Sequence, residues 1–429
     1  MEQINKMLEK SPLPPFIKGG MNWRRKNLIG TNRWKRLNNF ICSREMILEH
    51  LFYALEIAFE TGLWLLYVLA VTISVMVVIW ENRDPIKTLG WITAMVFVPF
   101  FGMVLFYFFG WNHRGKEKVP ALYSRKMQKI WKQYPEKESL KKIHSKYQPF
   151  STLLKQHHNA QILAGSKVEI ITSGEQKFDM LMKDIEEAKH SVHMEYFTYR
   201  NDKIGTKIKE LLMKKAKEGI EVRFLYDNAA NWDIRSSFYR EMEKAGVKVS
   251  PFFKGIFKGF KSNINYRNHR KVVVIDGKIG YMGGMNVADR YYKNPERRDT
   301  HLRMEGEGVY GLQASFLLDW VDSGEKDVKE YAQYFPPCEL FSENLLQIVP
   351  RGNYSEQNTV LQATTNILNN ATEYCYIQSP YFLPNAEIVH ALTVAGLRGV
   401  DVRLMLPKKS DTVYVDPASH SYYEDALKA

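Results

Sequence analysis

Two apolar runs without a single charge dominate what this chain can become. Residues 62–80 read GLWLLYVLAVTISVMVVIW, and residues 88–111 read TLGWITAMVFVPFFGMVLFYFFGW. At about 1.5 Å of rise per residue, each is long enough as a helix to cross a hydrocarbon core of about 30 Å. Trp64, Trp80, Trp91 and Trp111 stand near the ends, where indole rings settle at a membrane interface. A pair of buried core helices would give the same hydropathy, but two such runs rarely adjoin in a soluble fold. The polar turn ENRDPIK at 81–87, with Pro85, joins them, so a hairpin is expected. Both runs lie too deep in the chain, and lack the small-residue cleavage site, to be a signal peptide.

The flanks of the hairpin are basic. Arg24, Arg25, Lys26, Arg33, Lys35, Arg36 and Arg44 precede it, and Arg114, Lys116, Lys118, Arg125, Lys126, Lys129 and Lys132 follow it. In the turn, Arg83 and Lys87 are balanced by Glu81 and Asp84. The positive-inside rule then puts both termini in the cytoplasm. The same flanks favour anionic lipid, at about 1 kcal/mol per basic residue near the surface. Across 429 residues the formal net charge is +13, which points to anionic partners without choosing among lipid, nucleic acid and phosphorylated substrates. Cys42, Cys338 and Cys375 show no CxxC spacing, which argues against a disulfide framework or a zinc site and for a reducing compartment.

Beyond a Lys-rich stretch at 113–155, expected to be a helical linker, strands and helices alternate. Strands are expected at 167–172, 192–199 and 220–227, and helices at 178–191 and 207–219. Such alternation predicts an α/β sheet covered on both faces. The pattern then repeats. GIEVRFLYD at 219–227 is echoed by GVDVRLMLP at 399–407, MEYF at 194–197 by SPYF at 379–382, and SFYREMEKA at 237–245 by SYYEDALKA at 421–429. Three matches in order, at offsets of 180, 185 and 184 residues, indicate a duplicated unit.

The chemistry is concentrated in NHRKVVVIDGKIGYMGGMN at 268–286, where His269, Lys271 and Asp276 fit His-x-Lys-x4-Asp. Residues 272–275 read as a buried strand. On a strand His269 and Lys271 share a face, because side chains alternate. The pair suits a phosphate: the lysine holds the charge while the histidine attacks or gives protons. Gly283 and Gly284 permit close backbone approach, and Asn286 offers an amide to a phosphate oxygen or to the histidine. A lone histidine on a strand is more often structural, but the glycines and the asparagine at close spacing favour the catalytic reading.

This motif resembles that of the phospholipase D superfamily. The hairpin, MEYFTYR, RDTHLRMEG at 298–306 and SPYFLP together resemble the bacterial cardiolipin synthases, over roughly residues 60–429. The fold class so implied is α/β: a two-helix transmembrane hairpin, then a duplicated phospholipase D-type domain whose second repeat is incomplete. The expected divisions are a basic N-terminal segment at 1–60, the hairpin at 61–112, a basic linker at 113–160, the first repeat at 161–346 and a partial second repeat at 347–429.

The resemblance implies that two such motifs meet at one pocket. One histidine attacks phosphorus to form a phosphohistidine, and the other protonates the leaving alcohol. In this family one phosphatidylglycerol donates its phosphatidyl group to a second, giving cardiolipin and glycerol without metal or other cofactor. By position His269 is then the catalytic histidine, Lys271 and Asn286 hold phosphate, Asp276 orients or supports the site, and Gly284 and Glu195 line the substrate pocket. The partners implied are phosphatidylglycerol and anionic membrane lipid, not nucleic acid, with the catalytic domain on the cytoplasmic side of the inner membrane. The partner of His269 is expected near position 453, outside the 429 residues, which hold no second His-x-Lys-x4-Asp. His390 and His420 lack the accompanying Lys and Asp. A polypeptide of these residues alone is therefore expected to be inactive. The alternatives are a phospholipase D-type phosphodiesterase and an inactive membrane fragment.

Overall fold

The computed structural model describes residues 31–80, 85–106, 110, 127–129, 131–132, 143–158, 160–252, 267–294, 298–325, 328, 330–351, 358–410, 412 and 415–428. Two compact units divide at residue 103. In the first, helix α1 (Thr31–Trp80) runs for 50 residues, well past the start expected for the first span. Its segment Met46–Trp80 has a mean hydropathy of 2.5 and is the one described helix long and apolar enough to cross a membrane. Its apolar side chains face outward: Phe52, Trp64, Leu65 and Met76 are all more than half exposed. Water would penalise that surface, whereas lipid accommodates it.

The second apolar run is broken. Helix α2 (Pro85–Phe97) packs against α1 and gives way at Val98 to α3 (Pro99–Leu105). Pro99 has no N–H to donate and disfavours helical backbone at the residue before it. The helical bonds from Val98 to the carbonyl of Ala94 (3.0 Å) and from Gly102 to that of Val98 (2.6 Å) survive, so the chain bends and does not stop. Residues 81–84 of the expected turn, Trp111, and most of the basic flanks fall outside the described residues.

The second unit is built on a seven-stranded mixed sheet. Its strands are β2 (Lys167–Ile171), β3 (Ser191–Tyr196), β4 (Glu221–Asp227), β5 (Lys248–Phe252), β6 (Lys271–Ile275), β7 (Ile279–Gly283) and β8 (His301–Glu305); β1 (Leu163–Ala164) pairs elsewhere. Their order is β2-β8-β7-β6-β3-β4-β5, with β3, β4 and β5 parallel and the other pairs antiparallel. Helix α4 (Gln148–His158) lies in the expected linker. On one face of the sheet lie α5 (Gly174–Glu186), α6 (Lys203–Lys217) and α7 (Ser236–Lys244); on the other lies α8 (Gly308–Asp322).

Caps explain where the helices depart from the expected bounds. Ser173 accepts from Gln176 and Asp202 from Gly205, starting α5 and α6 four residues early. Gly219, with φ +88°, follows the end of α6 in the left-handed conformation that only glycine adopts freely. Central strand β6 is buried along its whole length, as its Val-Val-Val-Ile run requires in a sheet covered on both sides.

A second parallel unit follows β9 (Leu345–Leu346), which pairs with β1. Helix α9 (Thr359–Asn370) precedes β10 (Tyr374–Gln378), α10 (Ala386–Leu397) and β11 (Asp401–Met405), with α11 (Val415–His420) and α12 (Tyr423–Lys428) after them. Strands β10 and β11 are parallel with Tyr374 opposite Asp401, as Ser191 is opposite Glu221 in β3 and β4. Ile377 and Leu404 pack inward, whereas Tyr374, Tyr376 and Met405 stay exposed on the open face.

Candidate active site

The site grows from the end of β6. The strand begins at Lys271, so His269 sits in the preceding loop and not within the strand, as expected from the sequence. The two side chains nonetheless meet. Lys271 Nζ lies 3.3 Å from His269 Nδ1 and donates to the His269 carbonyl oxygen at 2.7 Å. The ring of Phe197, just past β3, lies 4.4 Å from the imidazole and 5.1 Å from the Lys271 ammonium. His269 is open to solvent on one side. Partial burial, then the Lys271 charge, lowers its pKa, against the pull of Asp227. Burial lowers the Lys271 pKa to about 8, opposed by Asp299. Lys271 can therefore change protonation near neutrality, and His269 gives up its proton more readily than an ordinary histidine.

The sheet register aligns further groups with Lys271. Tyr196 pairs with Lys271, and Gly283 with His301, in one row across neighbouring strands on the face that carries α5 and α6. Lys177 of α5 donates to the Tyr196 hydroxyl at 2.9 Å. Lys177 is wholly buried, and desolvation holds its pKa well below the ordinary lysine value. His301 is buried as well, and among the described residues neither ring nitrogen has a hydrogen-bond partner. Burial, then the charges of Lys177 and Lys271, keeps it neutral. Gly283 makes this crowding possible: an added Cβ would stand 2.5 Å from His301 Cα. At Gly284 a Cβ would stand 2.1 Å from an Asp299 carboxylate oxygen, so the second glycine makes room for Asp299.

Three further expected site residues have bonding partners of their own. Asp276 stands at the far end of β6, about 17 Å from Lys271 at ~3.3 Å per strand residue. Its carboxylate accepts from the backbone N–H groups of Lys189, His190 and Ser191 at 2.7–2.8 Å. It anchors the start of β3 and does not reach the reacting groups. Asn286 is buried; its amide oxygen accepts from Thr198 N at 3.0 Å, and its nitrogen donates to the Tyr291 hydroxyl at 3.0 Å. Its amide is thereby committed to supporting the loop after β3. Glu195 is 1% exposed, on the α8 face opposite Tyr196, where it accepts from Asn268. Burial raises its pKa to about 7, against the opposing influence of Arg270 and Asn268.

Sequence reasoning assigned no role to Lys177, Asp299 or His301. Asp299 and His301 lie inside RDTHLRMEG, so the segment was legible as a unit while its individual residues were not. Lys177 carried no signal, being one lysine among many on an amphipathic helix.

A cleft of about 1000 Å³ includes His269, Lys271 and Gly283 in its lining. Arg267, Arg270 and Arg351 also border it, and Met282, Leu302 and Ile348 give it apolar walls. A cationic, partly apolar cleft beside a histidine and a lysine can hold an anionic ester and offer phosphorus a nucleophile.

Comparison with known proteins identifies the family. The family model "Cardiolipin synthase, PLD-like domain" matches residues 181–307 and 364–429, and "Phospholipase D-nuclease N-terminal" matches residues 64–111. The major cardiolipin synthase ClsA of Bacillus subtilis is 34% identical over 381 residues, covering 85% of this chain and 78% of the relative. A cardiolipin synthase of Listeria innocua is 35% identical with the same coverage of both chains. Among solved structures, a phosphatidylserine synthase of Haemophilus influenzae is 14% identical with a TM-score of 0.46, over 67% of this chain and 73% of that one. The chain belongs to the cardiolipin synthase family of phospholipase D-like proteins.

Proposed function

We propose that this protein joins two phosphatidylglycerol molecules into cardiolipin with release of glycerol, using His269 at a phosphohistidine step. The observation that carries this reading is the 3.3 Å approach of Lys271 Nζ to His269 Nδ1 beside a cationic cleft, in a chain of this family. The ammonium rests on the imidazole and on its own loop. A substrate phosphate draws the ammonium to itself and frees the imidazole. The imidazole nitrogen then bonds to phosphorus, the bond from phosphorus to the glycerol oxygen breaks, and an acid protonates that oxygen. In the second half the hydroxyl of another phosphatidylglycerol attacks phosphorus, the N–P bond breaks, and a base takes the hydroxyl proton. The family's scheme assigns the acid and base steps to a second histidine, which these 429 residues do not include. A polypeptide limited to them is on this reading nearly inactive, because a placed general acid contributes roughly 10²–10⁴ in rate.

The reading extends to the membrane. The two apolar runs form a hairpin with both ends in the cytoplasm, residues 347–429 hold part of a second copy of the 161–346 unit, and the basic flanks lie against anionic lipid. A reporter active only in the cytoplasm, fused after residue 150, should be on; a periplasmic signal there overturns the topology. The reaction is tested with the native protein in membranes of a host lacking cardiolipin, given labelled phosphatidylglycerol. Cardiolipin and glycerol in equal amounts are expected. Phosphatidic acid in place of cardiolipin would make the protein a hydrolase.

A further inference from the structure

The loop that carries His269 is gripped from the opposite face of the sheet. Asn268 and Arg270, the residues on either side, both reach into a buried acidic cluster below. Asn268 donates its backbone N–H to Asp227 at 2.9 Å and its side-chain amide to Glu195 and, at 3.3 Å, to Asp319. Arg270 forms an ion pair with Asp319, donates from its guanidinium to the Arg351 carbonyl at 2.7 Å, and donates its backbone N–H to the Asn268 side-chain oxygen at 3.1 Å. Glu195, Asp227 and Asp319 are each 1% exposed, and they come from three separate elements, β3, β4 and α8.

Burying three carboxylates around one guanidinium is costly, and apolar side chains would fill the same space more cheaply. Buried hydrogen-bonded networks do, however, restrict the groups they bind to few arrangements; here Glu195 holds Asn268 while its Oε2 has no partner among the described residues. Both neighbours of His269 are held, so the backbone that carries the imidazole is held between them. Attack on phosphorus needs alignment, and a displacement of 1 Å can cost about 10²-fold in rate.

We infer that Glu195 and Asn268 are positioning residues for His269, aiming its imidazole through the loop that carries it. The inference rests on the proposed role of His269. Asp319 completes the grip through Arg270.

The test uses the native protein in detergent, with two readouts. One is turnover of phosphatidylglycerol, resolved into kcat and KM. The other is the rate at which diethyl pyrocarbonate modifies His269, followed by mass spectrometry, which needs no substrate. Glu195→Ala and Asn268→Ala should each lower kcat tenfold or more per folded molecule, leave KM within twofold and change the modification rate at least threefold. Glu195→Gln keeps an oxygen for Asn268 and should stay within twofold of wild type in all three. A raised KM with unchanged modification would make Glu195 a substrate contact and overturn the inference. So would wild-type kcat and modification in the folded alanine variants, which would leave the cluster a purely structural one. If Glu195→Ala fails to fold, Asn268→Ala and Glu195→Gln decide by the same criteria. If wild type makes no cardiolipin, the transferase reading fails, while the modification rates still sort the variants and judge the positioning role alone.

Discussion

Lys271 Nζ donates to the carbonyl oxygen of His269 at 2.7 Å, so the lysine braces the backbone of the residue it serves. The same ammonium faces the imidazole and, after burial, lowers its affinity for a proton. This sets a pH profile. For kcat/KM, activity should rise with pH as His269 loses its proton, below the ordinary histidine value. It should fall again as Lys271 deprotonates through about 8. Lys271→Arg, which stays charged, should remove the alkaline limb. Lys271→Met should lose about 10²–10³-fold at every pH. Initial rates from pH 5.5 to 9.5 decide this, and an unchanged alkaline limb in the arginine variant would reassign it.

Asp276 separates stability from catalysis. Its carboxylate holds three backbone amides, and its φ of +53° is left-handed, a conformation that asparagine and aspartate tolerate best. Asp276→Ala should therefore cost about 2–4 kcal/mol of stability, from lost charged hydrogen bonds and backbone strain. Activity per folded molecule should stay within about threefold. A drop of 10²-fold at full folding, by thermal unfolding and size exclusion, would place Asp276 in the chemistry.

The adjacent glycines should differ in kind. A methyl group at Gly283 meets the Thr300 carbonyl oxygen and His301 Cα at 2.5 Å, and backbone cannot step aside cheaply. Gly283→Ala should unfold the sheet locally and lower the melting temperature by several degrees. At Gly284 the obstacle is the end of the Asp299 side chain, which can rotate away. Gly284→Ala should melt near wild type but lose activity, because Asp299 no longer supports the charge on Lys271. Equal melting temperatures for the two variants would refute this.

What could be read from the sequence follows from the range of each signal. The strand at β6 was legible because short-range periodicity fixes it, whereas His269, expected on that strand, sits in the loop before it and meets Lys271 by side-chain contact. The echo of 219–227 at 399–407 falls on β11, which runs parallel to β10 as β4 does to β3. The long reach of α1 was not, because its first turns carry polar and basic residues that interrupt the apolar run. The places of Asp276 and Glu195 were missed for a different reason. A spacing pattern ties Asp276 to His269, yet five strand residues carry it to the other end of the sheet. Glu195 precedes Tyr196, and one step along a strand turns a side chain to the opposite face. His301 joins the row of Lys271 only through strand pairing across Gly283, which no local pattern encodes.

The most direct measurement is conversion of labelled phosphatidylglycerol to cardiolipin by the native protein and its His269→Ala variant, in membranes of a cardiolipin-free host and at matched expression. The account predicts a loss of at least about 10³-fold, because removing a covalent nucleophile or its paired acid disables the whole reacting unit. Cardiolipin formed by the variant at more than a tenth of the wild-type rate would contradict it.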